Sequence, residues 1–451
     1  MSRSFAALLS AAALVACGTP EPSDPYAEMN VTVHDGTFAT IQQFETPGGV
    51  SVWLVEEPSI PILSLRMAWQ TGSTTDPDGL EGLTQSMVYQ MNEGAGELDS
   101  LAFFKRMEEL NMSFGCSASR DSTFCNASML TDAAEASFDL IGLAYRAPRF
   151  DDGPWSRFIR EQEVSLATRE TNAGFLAARA TRDALYPGHP YARDISADSL
   201  AALSVAAAKG HKDMIMTKEG LLVTAVGAIS PQALAPLIDK AIEGLPESSA
   251  AEPVETVSLA PAPDAPLLID LPQPQSLVRF TAPAMPRDNP DFYPAIVVNY
   301  TLGGGGFESR LMEDLREEKG LTYGVSTSLN AGRHLQTWSG GGQTKNESAS
   351  DFIDGVKANI ALMGEAGLTQ DELAGAKAFL TGSYPLGFDS NAKIAGNMMS
   401  VRLDGLGVDF FDKRNALVEA VTLEEVNRVA ATYLDPDRFT FVVVGEPQGL
   451  K

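Results

Sequence analysis

Two segments roughly two hundred residues apart end in the same way. Gly220-Leu-Leu-Val-Thr-Ala-Val-Gly227 and Arg438-Phe-Thr-Phe-Val-Val-Val-Gly445 are both short β-rich runs that stop at a glycine. Each follows a helix-like segment, and aligning the two glycines also aligns Ser204 with Thr422, side chains whose oxygens suit a helix N-cap. A period of this length means a duplicated domain, because solenoid units repeat every 20–50 residues or so. Between the copies, Pro246 to Pro266 is rich in Pro, Ala, Ser and Glu and has no sustained apolar period, which is the composition of a linker. The expected organisation is therefore a first domain over 31–246, a linker over 247–263 and a second domain over 264–451.

Within each copy strands and helices mix. Val50–Val55 and Ile62–Trp69 read as strands, 79–93 and 100–110 as helices, and 153–185 as one long helical stretch. In the second copy 289–302 and 308–317 read as helices, Tyr323–Leu329 and Gln336–Gly340 as strands, and 349–365, 369–381 and 422–433 as helices. Long helices following strand runs imply an α+β layer arrangement.

The net charge of −26, from 59 acidic and 33 basic residues, argues against nucleic acid, whose phosphates need Lys and Arg. It is compatible with a basic partner or peptide, and solubility alone is the plainer reading. At the N-terminus, Arg3 precedes an apolar run from Phe5 to Ala16 that is too short to span a membrane as a mature helix. The run ends in Leu14-Val-Ala-Cys17-Gly18, which resembles a bacterial lipobox. The resemblance implies a signal peptide over 1–16, a lipid on Cys17 and a Pro-rich tether over 17–30. An ordinary cleaved signal with an incidental cysteine is the other reading. Attachment on the periplasmic side of a bacterial membrane follows, and Gly18 after Cys17 favours the outer membrane by analogy with known sorting.

Cys116 and Cys125 flank Arg120-Asp121 in a stretch that alternates like a hairpin. A turn centred on Arg120-Asp121 sets the two cysteines opposite each other and within bridging reach, whereas a one-residue slip separates them as thiols.

A Gly-rich turn, Gly303-Gly304-Gly305-Gly306, precedes Leu315-Arg-Glu-Glu-Lys-Gly-Leu-Thr-Tyr323-Gly-Val325. This stretch resembles the substrate-gripping segment of the pitrilysin/insulinase zinc peptidases (inverzincins), and the resemblance extends from about residue 35 to the end. It implies two homologous α/β-sandwich domains forming half of a clamshell. Arg316 would donate its fork of N–H groups to peptide carbonyls, and Tyr323 would donate its hydroxyl to the oxygen that gains charge when water attacks. The glycines suit close backbone approach to substrate or simply end a helix, and Arg310 has a groove-lining and a structural reading.

The family's His-x-x-Glu-His is missing. The matching segment is Gly82-Leu-Thr-Gln85-Ser-Met-Val88-Tyr89-Gln-Met91, so Gln85 and Tyr89 stand for the two zinc-binding histidines and Val88 for the glutamate base. The later glutamate ligand becomes Thr168 when Glu161 is matched, and a shifted reading takes Glu163 and Glu170. The four histidines, His34, His189, His211 and His334, are scattered. No metal or other cofactor is expected in this chain. Three functional readings follow: a non-zinc subunit that lends Arg316 and Tyr323 to a zinc-bearing homologous partner, as in mitochondrial processing peptidase; a peptide-binding or scaffold lipoprotein without a part in hydrolysis; and an autonomous peptidase with unusual ligands.

Overall fold

The computed structural model describes residues 24–450. Cys17 and the expected signal segment 1–16 lie outside the described residues. Among the described residues no helix is long and apolar enough to cross a membrane.

Two mixed sheets dominate. The first contains β1 (Val31–Asp35), β2 (Thr40–Glu45), β3 (Ser51–Glu56), β4 (Ile62–Trp69), β5 (Ser113–Ala118), β6 (Thr123–Leu130) and β7 (Leu222–Gly227), in the order β1-β2-β3-β7-β4-β6-β5. The second contains β8 (Leu267–Asp270), β9 (Gln275–Pro283), β10 (Thr322–Ala331), β11 (Gln336–Lys345) and β12 (Thr440–Gly445), in the order β10-β11-β9-β12-β8. Read from the other edge, the second order reproduces the last five strands of the first. In each sheet one pair is parallel, β3 with β7 and β8 with β12, and the others are antiparallel. The duplicated glycine-ended runs are β7 and β12, the central parallel strands. Ser204 and Thr422 cap the helices that precede them, accepting from the N–H groups of Ala207 and Glu425 at 3.2 Å.

The β-branched composition of β12 follows from burial on both faces, since all six residues are buried. Phe441 and Val443 point into the second half's main core, while Val442 and Val444 pack against Leu176 and Ala177. Those two residues belong to the helix Ala173–Leu185 of the first half. The first sheet is treated reciprocally. Val223 and Ala225 of β7 face their own core, and Val226 packs with Ala395, Met398 and Val401 of the helix Asn391–Leu403 from the second half. Thr224 Oγ1 donates to Ala395 O at 2.8 Å, and Arg402 donates to Ser51 O and Val223 O. Each half thus lends one helix to the other's sheet. The segment 247–263 contains no helix or strand, and backbone bonds from Val257 to His334 O and from Ala260 to Leu185 O fasten it along both halves.

Three local expectations are corrected. The stretch 153–185 is two helices, Asp152–Arg169 and Ala173–Leu185, because Asn172 turns the chain and caps the second by accepting from Phe175 N at 2.9 Å. The helices at 289–302 and 308–317 each run into a π-helical turn, Tyr300–Gly304 and Glu313–Glu318. β11 continues through Gly340-Gly-Gly342 to Lys345, since a Cβ on Gly340 would fall 2.3 Å from the Phe280 ring and only glycine lets that ring pass. The hairpin has the register with Cys116 opposite Cys125, and the two are joined in a disulfide.

Candidate functional site

Tyr323 is the second residue of β10, an edge strand of the second sheet, at a register shift between Thr322 and Val325. Thr322 turns its hydroxyl inward to Gln343 O at 2.7 Å, and the bulge aims Tyr323 outward, where it is 88% exposed. A large apolar ring left in water on an otherwise ordered strand is the kind of exposure that signals a contact surface. Tyr323 borders a cavity of ≈540 Å³ over β9, β10 and β11, floored by Ser326, Ser339 and Gln343 and including Arg279.

Arg316 lies on the π-helical turn Glu313–Glu318, with its guanidinium 4.3 Å from the centre of the Phe307 ring. Unlike Arg310 and Lys319 on the same segment, it has no carboxylate partner among the described residues. Phe307, which directly follows the tetraglycine, is 63% exposed. Gly303 is buried, and a Cβ there would lie 2.7 Å from Thr327 Oγ1 and 2.9 Å from its backbone nitrogen, so this glycine serves packing against β10. Gly304 and Gly306 are exposed on the outer side of the turn. Arg310 is structural. It forks onto Glu372 at 2.7 and 2.8 Å and onto Gly367 O at 2.8 Å. Burial alone would raise the Glu372 carboxyl, but this fork and the N–H and hydroxyl of Thr369 outweigh it and hold the group at about 2.

The four zinc-motif positions do not form a metal site. Gln85 is exposed on the first turn of the helix Leu83–Met91, and Val88 is buried in the first core. Tyr89 Oη accepts from Arg157 Nε at 2.8 Å and donates to Glu161 at 3.4 Å, while Arg157 Nη2 contacts Glu93 at 2.5 Å. The bonds from Glu93 and Tyr89 raise the Arg157 pKa, so the guanidinium is a permanent cation beside these carboxylates. Thr168 donates its hydroxyl to Ser165 O, and Glu170, the ligand of the shifted reading, is clasped by Arg179 at 2.6 and 3.1 Å. Zinc does not fit this donor set: an amide, a phenol held by a cation, a valine and a hydroxyl turned to the backbone provide no anionic or imidazole ligands. No group of three or more His, Cys, Asp or Glu able to hold a metal occurs among the described residues. The histidines have other partners. His34 contacts Asp412 at 2.7 Å, His189 caps a turn at Tyr191 N, and buried His211 contacts Thr84 Oγ1 at 2.8 Å.

Asp76, which no sequence motif singles out, anchors the N-terminus of the helix Leu83–Met91. It accepts from the N–H groups of Gly82 and Thr84, each at 2.9 Å, and so supplies the cap that Gly82 lacks.

Comparison with known proteins matches residues 207–380 to the family described as the peptidase M16 inactive domain. The chain is 23% identical over 411 residues to the non-peptidase homolog YmxG of Helicobacter pylori, covering 90% of this chain and 94% of that one. The crystal structure of a peptidase M16 inactive domain from Pseudomonas fluorescens superposes with a TM-score of 0.85 at 26% identity, covering 91% of this chain and 99% of the other. Residues 207–380 match the M16 inactive domain, and over most of its length the chain is similar to M16 homologues of the pitrilysin/insulinase type. It is an inactive M16 homologue, consistent with what stands at Gln85, Val88, Tyr89 and Thr168. The fold, without the function, is shared with the periplasmic protease PqqL of Escherichia coli, with a TM-score of 0.80 and 16% identity. That match covers 98% of this chain and 49% of PqqL.

Proposed function

We propose that this M16 homologue is the non-zinc subunit of a two-chain peptidase, binding peptide and contributing Arg316 and Tyr323 to a zinc centre carried by a homologous partner. One observation carries the reading: a tyrosine is held out to solvent, and an arginine without a carboxylate partner among the described residues lies half-buried against the exposed Phe307 ring, although the metal positions of the same chain are filled by side chains poorly suited to zinc. A tyrosine in water has no packing reason to be placed at a bulge, but it can donate a hydrogen bond to a developing oxyanion on another chain. Lipid attachment at Cys17 would hold the assembly at the periplasmic face of a membrane, the outer one being favoured.

The test is peptide cleavage by this chain, by a zinc-motif homologue from the same source, and by their mixture. Activity confined to the mixture, abolished by chelator and lowered about 10- to 1000-fold by Tyr323→Phe without loss of assembly, is the expected result. Unchanged turnover in that variant overturns the role given to Tyr323. The second reading, a peptide-binding scaffold, is favoured by the name of the Helicobacter pylori relative, non-peptidase homolog. It predicts no gain over the homologue alone and binding that chelators leave intact.

A further inference from the structure

Beside Gln85 lies a cavity of ≈270 Å³ whose wall includes Arg120, Arg169 and Arg193. The three guanidiniums come from different places: the β5–β6 turn, the end of the helix Asp152–Arg169, and the segment after Tyr191. Each is steadied by a carbonyl. Arg169 donates to Ile195 O at 2.9 Å, Arg193 to Asp76 O at 3.1 Å and Arg120 to Arg193 O at 3.5 Å. Arg169 also stacks 4.9 Å over the Phe175 ring. Arg169 has no carboxylate within 4.0 Å among the described residues, and the ion pairs of the other two are long. The nearest to Arg120 is Asp194 at 3.9 Å, whose other oxygen is taken by Arg182, and the nearest to Arg193 is the 91% exposed Asp78 at 3.9 Å. The other two acids at the cavity are also engaged. Asp76 turns its oxygens to Gly82 and Thr84, and Glu81 accepts from Gly79 N. Three carboxylates and three guanidiniums thus line the cavity, but the carboxylates are turned to backbone N–H groups or to Arg182, which leaves the guanidiniums with donors that no carboxylate takes at hydrogen-bond distance.

We propose that this cavity binds a carboxylate of a peptide. A guanidinium presents five N–H donors in a planar fork, and a carbonyl occupies only part of that capacity, leaving the paired donors that a carboxylate accepts best. The volume sets the size of the guest. At about 30 Å³ per water it equals roughly nine waters, enough for a terminal residue and its carboxylate, and it lies below the roughly 300–1,000 Å³ of sites for larger ligands. Its position against Gln85 puts that terminal residue beside the helix face that stands where the resembling family has its zinc motif. The inference rests on peptide being the ligand class of the proposed function, but its test needs this chain alone.

The test is calorimetric titration of the lipid-free full chain with three probes: N-acetyl-Ala-Ala as the free acid, the same dipeptide as its C-terminal amide, and N-acetyl-Glu amide. The free acid binding at least about tenfold tighter than its amide supports the proposal and assigns the guest as a chain terminus. The glutamate probe binding as well as the free acid supports it with a side-chain carboxylate as guest. Arg169→Met should weaken the preferred probe by about tenfold or more while the melting temperature stays within a few degrees. Equal binding of acid and amide, no binding of any probe, or inorganic phosphate displacing the acid at equal concentration would each overturn the proposal. Because no partner and no turnover enter the assay, its failure is separable from failure of the two-chain reading. The comparison of acid with amide on the unaltered chain keeps the test decisive if the variant misfolds.

Discussion

Replacing Arg402 with methionine should loosen the attachment between the two halves. Arg402 leaves the helix Asn391–Leu403 of the second half and enters the first sheet, where Nη1 donates to Ser51 O at 3.0 Å and Val223 O at 2.6 Å and Nη2 donates to Ser51 Oγ at 2.6 Å. Its guanidinium also lies 5.1 Å over the Trp53 ring. No carboxylate neutralises it among the described residues, and burial lowers its pKa from 12.5 to about 10, so it remains charged at neutral pH. That fall corresponds to a desolvation cost of about 3.4 kcal/mol at 1.36 kcal/mol per tenfold. Three hydrogen bonds from a charged donor contribute about 1.5–3 kcal/mol each, which exceeds the cost by a few kcal/mol. Methionine fills most of the same channel, so the loss is the hydrogen bonds less the desolvation, about 3 kcal/mol. The assay is urea unfolding followed by far-UV circular dichroism and by tryptophan fluorescence, with Arg402→Lys expected in between because one ammonium cannot reproduce the planar fork. A stability within about 0.5 kcal/mol of the parent would refute the claim that this arginine joins the halves.

Restoring the zinc motif by Gln85→His, Val88→Glu, Tyr89→His and Thr168→Glu should still give far less than one zinc per chain by elemental analysis. The Arg157 cation remains beside Glu93 and Glu161, and adding Arg157→Ala should raise the metal content. Glu372→Gln should destabilise the protein at neutral pH. The Glu372 carboxyl is held at about 2 against an ordinary 4.5, so its contribution is complete above about 4.5 and is lost as pH falls through about 2. The parent should therefore show an acid-unfolding limb in that window that the variant lacks, read by circular dichroism. Reducing the bond between Cys116 and Cys125, separated by nine residues, should cost about 2.5 kcal/mol by loop-closure entropy and lower the melting temperature. An unchanged melting curve in reductant, with free thiols confirmed by labelling, would contradict this.

Much of the candidate site was legible because its logic is local. Whether two positions four apart on a helix can bind zinc depends on which residues stand there, so Gln85 and Tyr89 settle it without coordinates. The exposure of Tyr323 was not legible, since it arises from a bulge set by the Thr322 hydroxyl reaching Gln343. The contact of Phe307 with Arg316 was not legible either, because which ring a guanidinium covers depends on how the two turns fold together. Arg157 gave no signal at all, for its role depends on which turn of its own helix comes to face Tyr89.

By itself the sequence determined the repeated glycine-ended strands, the α+β mixture, a hairpin around Arg120-Asp121 whose register it left open, and the loss of the His-x-x-Glu-His motif. These follow from short-range periodicity, turn chemistry and the donor properties of single side chains, all carried within a few neighbouring residues. Only the tertiary structure decided that the helices Ala173–Leu185 and Asn391–Leu403 cross to the opposite sheets, that Arg402 bonds a residue 351 positions away, and that Arg120, Arg169 and Arg193 converge on one cavity. An amphipathic helix advertises that it has an apolar face but not which surface will cover it. That choice depends on shape complementarity between segments far apart in the chain, which is realised only when both sheets are assembled.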